Sequence, residues 1–244
     1  MEKLQKKLDD LIKSLSKEKQ DQLRARLEDL VSVYPFNEYE YIISVLLGMD
    51  KISIDDYYEI RDEYISRNMY LYIFEISSPR GFGESWAQGH LKELVPDLIK
   101  PTKANDREYS GQYDFILPYK KNVIRIEVKA SRAVDADIEA PLYIKALASD
   151  SKKNFWMNFQ QVKPACCDVF VLIAVWRDVI KYWVWSSKEF EKNKYYSTGQ
   201  HRGNVGEGQL HYKQDNVSEF DRYLCRSNKL KDCIISAYSR QIGK

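Results

Sequence analysis

Eight consecutive apolar residues, Val-Phe-Val-Leu-Ile-Ala-Val-Trp at positions 169–176, limit the fold of this chain more tightly than any other stretch. The run is far below the roughly 18 residues that a membrane span needs. It is also too uniformly apolar for a strand with one wet face, so it reads as a strand covered on both sides. Arg177 and Asp178 then turn the chain into residues 179–185, which are expected to return antiparallel with Trp176, Trp183 and Trp185 in the core. A buried strand needs neighbours and two covering layers. Upstream, residues 122–132 (NVIRIEVKASR) alternate polar and apolar with the period of a half-buried strand. The expected fold class is therefore α/β, a mixed central β-sheet flanked by helices, behind an N-terminal all-helical segment.

That segment is read from Leu4, Leu8, Leu11, Ile12 and Leu15, then Leu23, Leu27, Leu30 and Val31, whose spacings of three and four place them on one helical face, with an interruption near Ser16. Asn37 is the expected N-cap of a second helix that Gly48 stops, and Ser53 caps a third running over 53–76. Ser77-Ser78-Pro79-Arg80-Gly81 breaks the helical pattern. The chain is thus divided into residues 1–78, a scaffold or dimerisation layer or else an arm that touches a ligand, and residues 79–244. Charge follows the same division. The total is 38 Lys and Arg against 36 Asp and Glu, a net of +2, but residues 1–78 hold 11 basic and 16 acidic groups and the remainder 27 against 20. A near-neutral sum therefore hides a basic second part, which leaves an anionic partner open.

Beyond the break, Trp86, Leu91 and Leu94 predict a helix over 82–94 ahead of Pro96. Residues 113–118 and 123–131 read as two strands joined by 119–122, and 150–163 as a helix ending at Pro164. A short helix near 187–192, a Gly-, Asn- and Gln-rich loop over 193–216, and one or two closing helices complete the expected order around one sheet. Cys166, Cys167, Cys225 and Cys233 form no C-x-x-C and are too few for a disulfide framework, so reduced thiols and a cytoplasmic location are expected, with no secretory signal and no membrane anchor.

The alternation of 122–132 sends Val123, Arg125, Glu127, Lys129 and Ser131 to one face and Ile124, Ile126 and Val128 to the other. A hairpin register pairing Pro118 with Val123 puts Asp114 opposite Glu127, two carboxylates and an ammonium at one sheet edge. Carboxylates that close repel unless a cation lies between them. Oxygen ligands of this kind suit Mg2+, which binds through one or two carboxylates together with waters and substrate phosphate, and Lys129 is placed to hold or deprotonate an attacking water. The bland alternative is a salt-bridged surface hairpin.

This constellation resembles the PD-(D/E)xK nuclease superfamily, through Tyr113-Asp114 followed by Glu127-Val128-Lys129 in the strand context I-R-I-E-V-K. It departs from the pattern at Tyr113, where the motif's name has Pro. The resemblance spans roughly 80–186 in element order. It implies a restriction endonuclease-like core in which Asp114 and Glu127 bind Mg2+ and Lys129 is the catalytic lysine. Of the acids on the helix ahead, Glu84 is the better match and Glu93 the second, the alternative for Glu84 being an acid favoured at a helix start. Length and the lack of a nucleotide-binding G-x-x-x-x-G-K-[ST] segment resemble a type II restriction endonuclease with no nucleotide cofactor. Its expected partner is double-stranded DNA, and a homodimer matches palindromic sites.

The expected DNA side is basic. Lys120, Lys121, Arg125 and Arg132 flank the hairpin, and Lys145, Lys152, Lys153 and Lys163 surround the segment after it, side chains that hold phosphate without reading sequence. Gln200, His201, Arg202, Asn204 and Gln209 lie in a Gly-rich segment, and Asn158, Gln160 and Gln161 on the expected helix 150–163. Both sets carry groups that bond base edges, although the first also suits an ordinary long loop. Two other readings stay open: a repair or junction-resolving nuclease of the same fold, and a DNA-binding module without catalysis.

Overall fold

The structure, a computed structural model, describes residues 2–28, 35–199 and 207–243. It contains two compact units, Met1–Tyr72 and Ile73–Lys244.

In the first unit, α1 (Glu2–Ser14), α2 (Lys17–Glu28), α3 (Pro35–Gly48) and α4 (Ile54–Arg67) surround a core that includes Leu15, Leu23, Ile43, Leu46, Ile60 and Tyr64. The break expected at Ser16 separates α1 from α2. Leu30 and Val31 fall outside the described residues. Asn37 does not cap α3: that helix already begins at Pro35, whose fixed φ suits a first helical position. Ser53 does cap α4, its hydroxyl accepting the Asp56 N–H at 3.1 Å while the Asp56 carboxylate accepts the Ser53 N–H at 3.0 Å. The third helix is shorter than the expected 53–76. Asn68 ends it with a side-chain amide that donates to the Tyr64 carbonyl at 2.8 Å, and the chain continues as a 3-10 turn over Leu71–Glu75.

The second unit opens with a π-helical turn, Gly81–Ala87, continuous with α5 (Gln88–Leu94). There follow β1 (Phe115–Tyr119), β2 (Asn122–Arg132), β3 (Val134–Asp135), α6 (Leu142–Lys145), β4 (Phe155–Val162), β5 (Val169–Val175), β6 (Ile180–Ser186), α7 (Ser187–Glu191), β7 (Tyr196–Thr198), β8 (Gly208–Lys213), β9 (Leu224–Cys225) and α8 (Leu230–Gln241). One sheet has the order β1-β2-β5-β6-β9 and is mixed, because β2 and β5 run parallel while its other pairs are antiparallel. A second, antiparallel sheet has the order β3-β4-β8-β7.

Residues 169–175 of the apolar run form β5, every one of them buried as the composition demands, and Trp176 just beyond the strand is buried as well. Phe170, Leu172 and Ala174 pack with Met157, Phe159, Leu210 and Tyr212 of the second sheet. Helix α8, with Ile234 and Ala237 buried, packs on β5 and β6. Each fully buried aliphatic or aromatic side chain of this kind contributes about 1.5–3 kcal/mol. Trp176, Trp183 and Trp185 lie in the same core.

One expectation fails here with consequences for the site. Residues 150–163 are not a helix: 155–162 is strand β4, paired with β3 and β8, so a sheet rather than a helix covers this side of β5. Phe155, Phe159 and Val162 imitate helical spacing because a bulge between Phe159 and Val162, with Gln161 at φ 54°, adds a residue to the strand. The thiol expectation also fails in part. Cys166 and Cys167 are free, but Cys225 and Cys233 form a disulfide, since β9 and the first turn of α8 bring their Cα atoms to 6.6 Å. No helix among the described residues is long and apolar enough to cross a membrane.

Candidate active site

The hairpin β1–β2 has the expected register, Pro118 opposite Val123 and Phe115 opposite Ile126, although its turn is only Lys120-Lys121, with Lys120 in the left-handed region at φ 56°. Asp114 continues the ladder by one rung, its N–H donating to the Ile126 carbonyl at 3.0 Å. There β1 stops and β2 runs on. The Val128 N–H, left without a strand partner, donates instead to Asp114 Oδ2 at 2.8 Å, so the carboxylate completes the ladder and is fixed in place by it. Its other oxygen, Oδ1, accepts from Gln88 Nε2 at 2.6 Å. Gln88 Oε1 in turn accepts from the Lys100 ammonium.

Glu127 and Lys129 project from the same face of β2, as period-two alternation requires, and Lys129 Nζ lies 2.7 Å from Glu127 Oε1. Both side chains are largely covered, 12% exposed for Glu127 and 18% for Lys129. Burial raises the Asp114 pKa against the opposing effects of the Val128 N–H, Lys129 and Lys100. Burial likewise pushes Glu127 up to about 7; Lys129 works the other way and the neighbouring Asp114 adds to the rise. Two carboxylates that resist ionising together in a covered site are what an added cation would relieve. Among the described residues no group of three His, Cys, Asp or Glu could hold a metal. The donor set is two carboxylates, which fits a hard divalent ion that keeps waters and takes its remaining oxygens from a phosphate.

These groups line a cleft of about 890 Å³. Glu84, Gln88, Asp114, Glu127, Lys129 and Arg132 line it together with Trp156, Asn158, Gln160 and Gln161 of β4, and with Lys163 and Glu207. Strands β2 and β4 are tied together where the Asn158 N–H donates to Ser131 Oγ at 2.9 Å.

The remaining expected residues are dispersed. Glu84 is an exposed cleft residue with Arg80 Nε at 3.8 Å, while Glu93 is exposed and not part of the cleft lining. Gln88, one turn past Glu84, is the helix residue that touches Asp114. Only the i, i+4 spacing from Glu84 pointed to it in the sequence. Lys120 and Lys121 do not lie beside the site: they form the far end of the hairpin, roughly 20 Å of extended strand from Asp114. Arg125 is engaged away from the cleft, and Arg132 lines it but is tied to backbone carbonyls. Arg125 pairs with Asp106 at 3.1 Å, and Arg132 donates to the carbonyls of Ile73 and Ile76 at 3.0 and 2.8 Å with its guanidinium over the Phe82 ring. Lys153 is held by Asp135 at 2.8 Å and Lys163 by Glu207 at 2.8 Å, whereas Lys152 is exposed just ahead of β4. Asn158 and Gln160 belong to a strand, not a helix, and face the cleft. Gln209 lies on β8, while Gln200, His201, Arg202 and Asn204 fall outside the described residues.

No protein family's sequence profile and no curated protein matches the chain. Two solved structures are similar to it. A bacterial homing endonuclease, I-Ssp6803I, is 11% identical with a TM-score of 0.36 over 69% of this chain and 100% of its own. MepB is 11% identical with a TM-score of 0.26 over 59% of this chain and 98% of its own. Both likenesses are too slight to bear on fold or chemistry, and the reading of the site rests on its own residues.

Proposed function

We propose that the chain is a Mg2+-dependent endodeoxyribonuclease that hydrolyses phosphodiester bonds of double-stranded DNA at a specific sequence, in the manner of a type II restriction endonuclease. The observation that carries this reading is the convergence of Asp114, Glu127 and Lys129 at one covered edge of the cleft, with Glu127 pushed up to about 7. Asp114 and Glu127 would hold the ion. Bound there, Mg2+ would neutralise charge on the scissile phosphate and acidify a water.

The chain's own groups do the rest. The Val128 N–H and the Gln88 amide fix both oxygens of Asp114, so that carboxylate keeps its aim. Lys129 is the cation that Glu127 has at hand in this arrangement, 2.7 Å away. With an ion held by Asp114 and Glu127, the Lys129 ammonium would be free to orient the attacking water and to stabilise charge on the phosphate oxygens, where preorganised charge is most effective in a site shielded from solvent. A specific duplex target is consistent with assembly as a homodimer, each copy cutting one strand.

The same Glu127–Lys129 pair also suits a hairpin that is only ion-paired, and one experiment separates the two. The protein and its Lys129→Ala variant are incubated with plasmid and phage DNA, with and without Mg2+. Discrete bands from wild type alone, with the variant slower by about 100-fold or more, are expected. Cutting by Lys129→Ala at the wild-type rate sinks the site assignment, and binding without cutting at any metal concentration assigns the silent module. Cleavage confined to branched or mismatched substrates assigns the structure-specific class.

A further inference from the structure

The outward face of the second sheet has a composition that its structural role does not explain. Along β4 the residues facing away from the core are Trp156, Asn158 and Gln160, and on the neighbouring β8 they are Gln209 and His211. Asn158 is directly opposite His211. The face holds amides, an imidazole and an indole, and the carboxylate at its edge, Glu207, is paired with Lys163 at 2.8 Å.

Three of these side chains have a polar atom that is covered and without a hydrogen-bond partner: Asn158 Oδ1, Gln209 Oε1 and His211 Nε2. Covered polar atoms are seldom left this way, because each loses water without gaining a bond. Here three occur on one face, two of them on cross-strand neighbours. Burial lowers the His211 pKa, with Lys213 acting in the same sense, so its ring is neutral and presents one donor and one acceptor. Trp156 meets His211 edge to face at 5.4 Å and fixes the ring from the side. Lys152 and Lys213 border the face at one end, while Lys163 at the other is held by Glu207.

We propose that this face of β4 and β8 reads base edges of duplex DNA, with Asn158 and Gln209 as adenine-reading amides and His211 between them. The major groove admits a pair of antiparallel strands such as β4 and β8, and a rotamer change in each of these part-exposed side chains would turn its covered atom outward, so that the amides pair with the adenine edge while Lys152 and Lys213 meet the phosphates. Trp156, Asn158 and Gln160 also line the cleft that holds Asp114 and Glu127, so DNA bound on this face would have its backbone beside the cleft. The inference rests on the duplex-DNA part of the proposed function and names the surface that supplies its specificity. It moves base reading from a helix to a sheet.

The test uses full-length protein carrying Lys129→Ala to suppress cutting, with selection from a randomised duplex library in Mg2+ followed by sequencing. A defined motif containing adenine is expected. Adding Asn158→Ala, Gln209→Ala or His211→Ala should each relax preference at its own position by roughly ten- to a hundred-fold, leaving the other positions selective. The near-isosteric Asn158→Asp and Gln209→Glu, which keep the packing, should change the base preferred at the same positions. Equal loss of all sequences in every variant, a motif that none of them alters, or enrichment from single-stranded but not duplex libraries overturns the proposal. Plasmid cleavage by wild type is measured alongside. Cutting with no enriched motif counts against the sheet alone, whereas an enriched motif that these variants alter, without cutting, counts against the nuclease reading alone.

Discussion

Asp114 completes a strand ladder and, in the proposed function, would also bind the metal. One oxygen replaces a missing strand partner for the Val128 N–H, and the other is held by Gln88, itself bonded by Lys100. An amide that fixes a metal-binding carboxylate from outside typically contributes a factor of about 10–100 to metal affinity. Gln88→Ala is therefore expected to weaken Mg2+ binding by that factor in titration calorimetry while the melting temperature without metal changes little. A large drop in melting temperature with unchanged Mg2+ affinity would make Gln88 a packing residue instead. The contrast with Asp114, Glu127 and Lys129 shows what a sequence discloses about a site. Those three are brought together by a local hairpin, so strand alternation and one turn suffice to put them on one face. Gln88 reaches them only through the packing of α5 against the sheet, and its partner Lys100 comes from an extended segment with no pattern of its own.

At the scale of elements, local signals worked where a side chain completes the backbone and failed where tertiary pairing decides. Ser53 was legible as a cap, and the apolar run as a strand covered on both faces. Strand β4 was not, because its bulge at Gln160-Gln161 shifts Val162 into helical spacing with Phe155 and Phe159; its identity depends on β3 and β8, which the sequence does not align with it. Helix α7 offers a test of the first kind. Ser186 and Glu189 form a capping box, with the Glu189 carboxylate accepting the Ser186 N–H at 3.1 Å, and Arg240 of α8 donates to the same carboxylate at 2.9 Å. Burial acts to raise the Glu189 pKa, but the bonds from Ser186 and Arg240 outweigh it and the net shift is downward. A carboxylate depressed on folding stabilises above its unfolded value near 4.3 and loses that contribution as pH falls through its folded value. Glu189→Ala should cost about 1 kcal/mol at pH 7 in chemical denaturation, and the gap to wild type should close below about pH 4. A gap independent of pH would assign the cost to packing.

At the scale of the molecule, each unit has its own core, Ile43 and Leu46 among the residues at the centre of one and Phe170, Trp185 and Tyr212 of the other. Ile73 and Ile76 belong with the second, since their carbonyls accept from Arg132. Residues 73–244 expressed alone are expected to unfold cooperatively with a native near-ultraviolet spectrum; a broad, non-cooperative transition would show that the second core needs the first 72 residues. The charge split along the sequence did not foretell where the basic groups act, because Arg125 and Arg132 are tied up within the fold. Parallel neighbours such as β2 and β5 require a long crossover, commonly a helix, and here the crossover contains β3, α6 and β4. Its two ends are pinned to the strand pair itself. The Ala133 N–H donates to the Val175 carbonyl at 2.8 Å, the Asp168 N–H to the Arg125 carbonyl at 2.9 Å, and the Arg125 N–H returns a bond to Asp168 Oδ2 at 2.9 Å. Between those anchors the outward residues of β4 could be exchanged without disturbing the hairpin that bears Asp114 and Glu127, provided Phe155, Met157 and Phe159 keep the inner side. If the proposed function holds, the surface that meets a target and the edge that does the chemistry are separately replaceable parts.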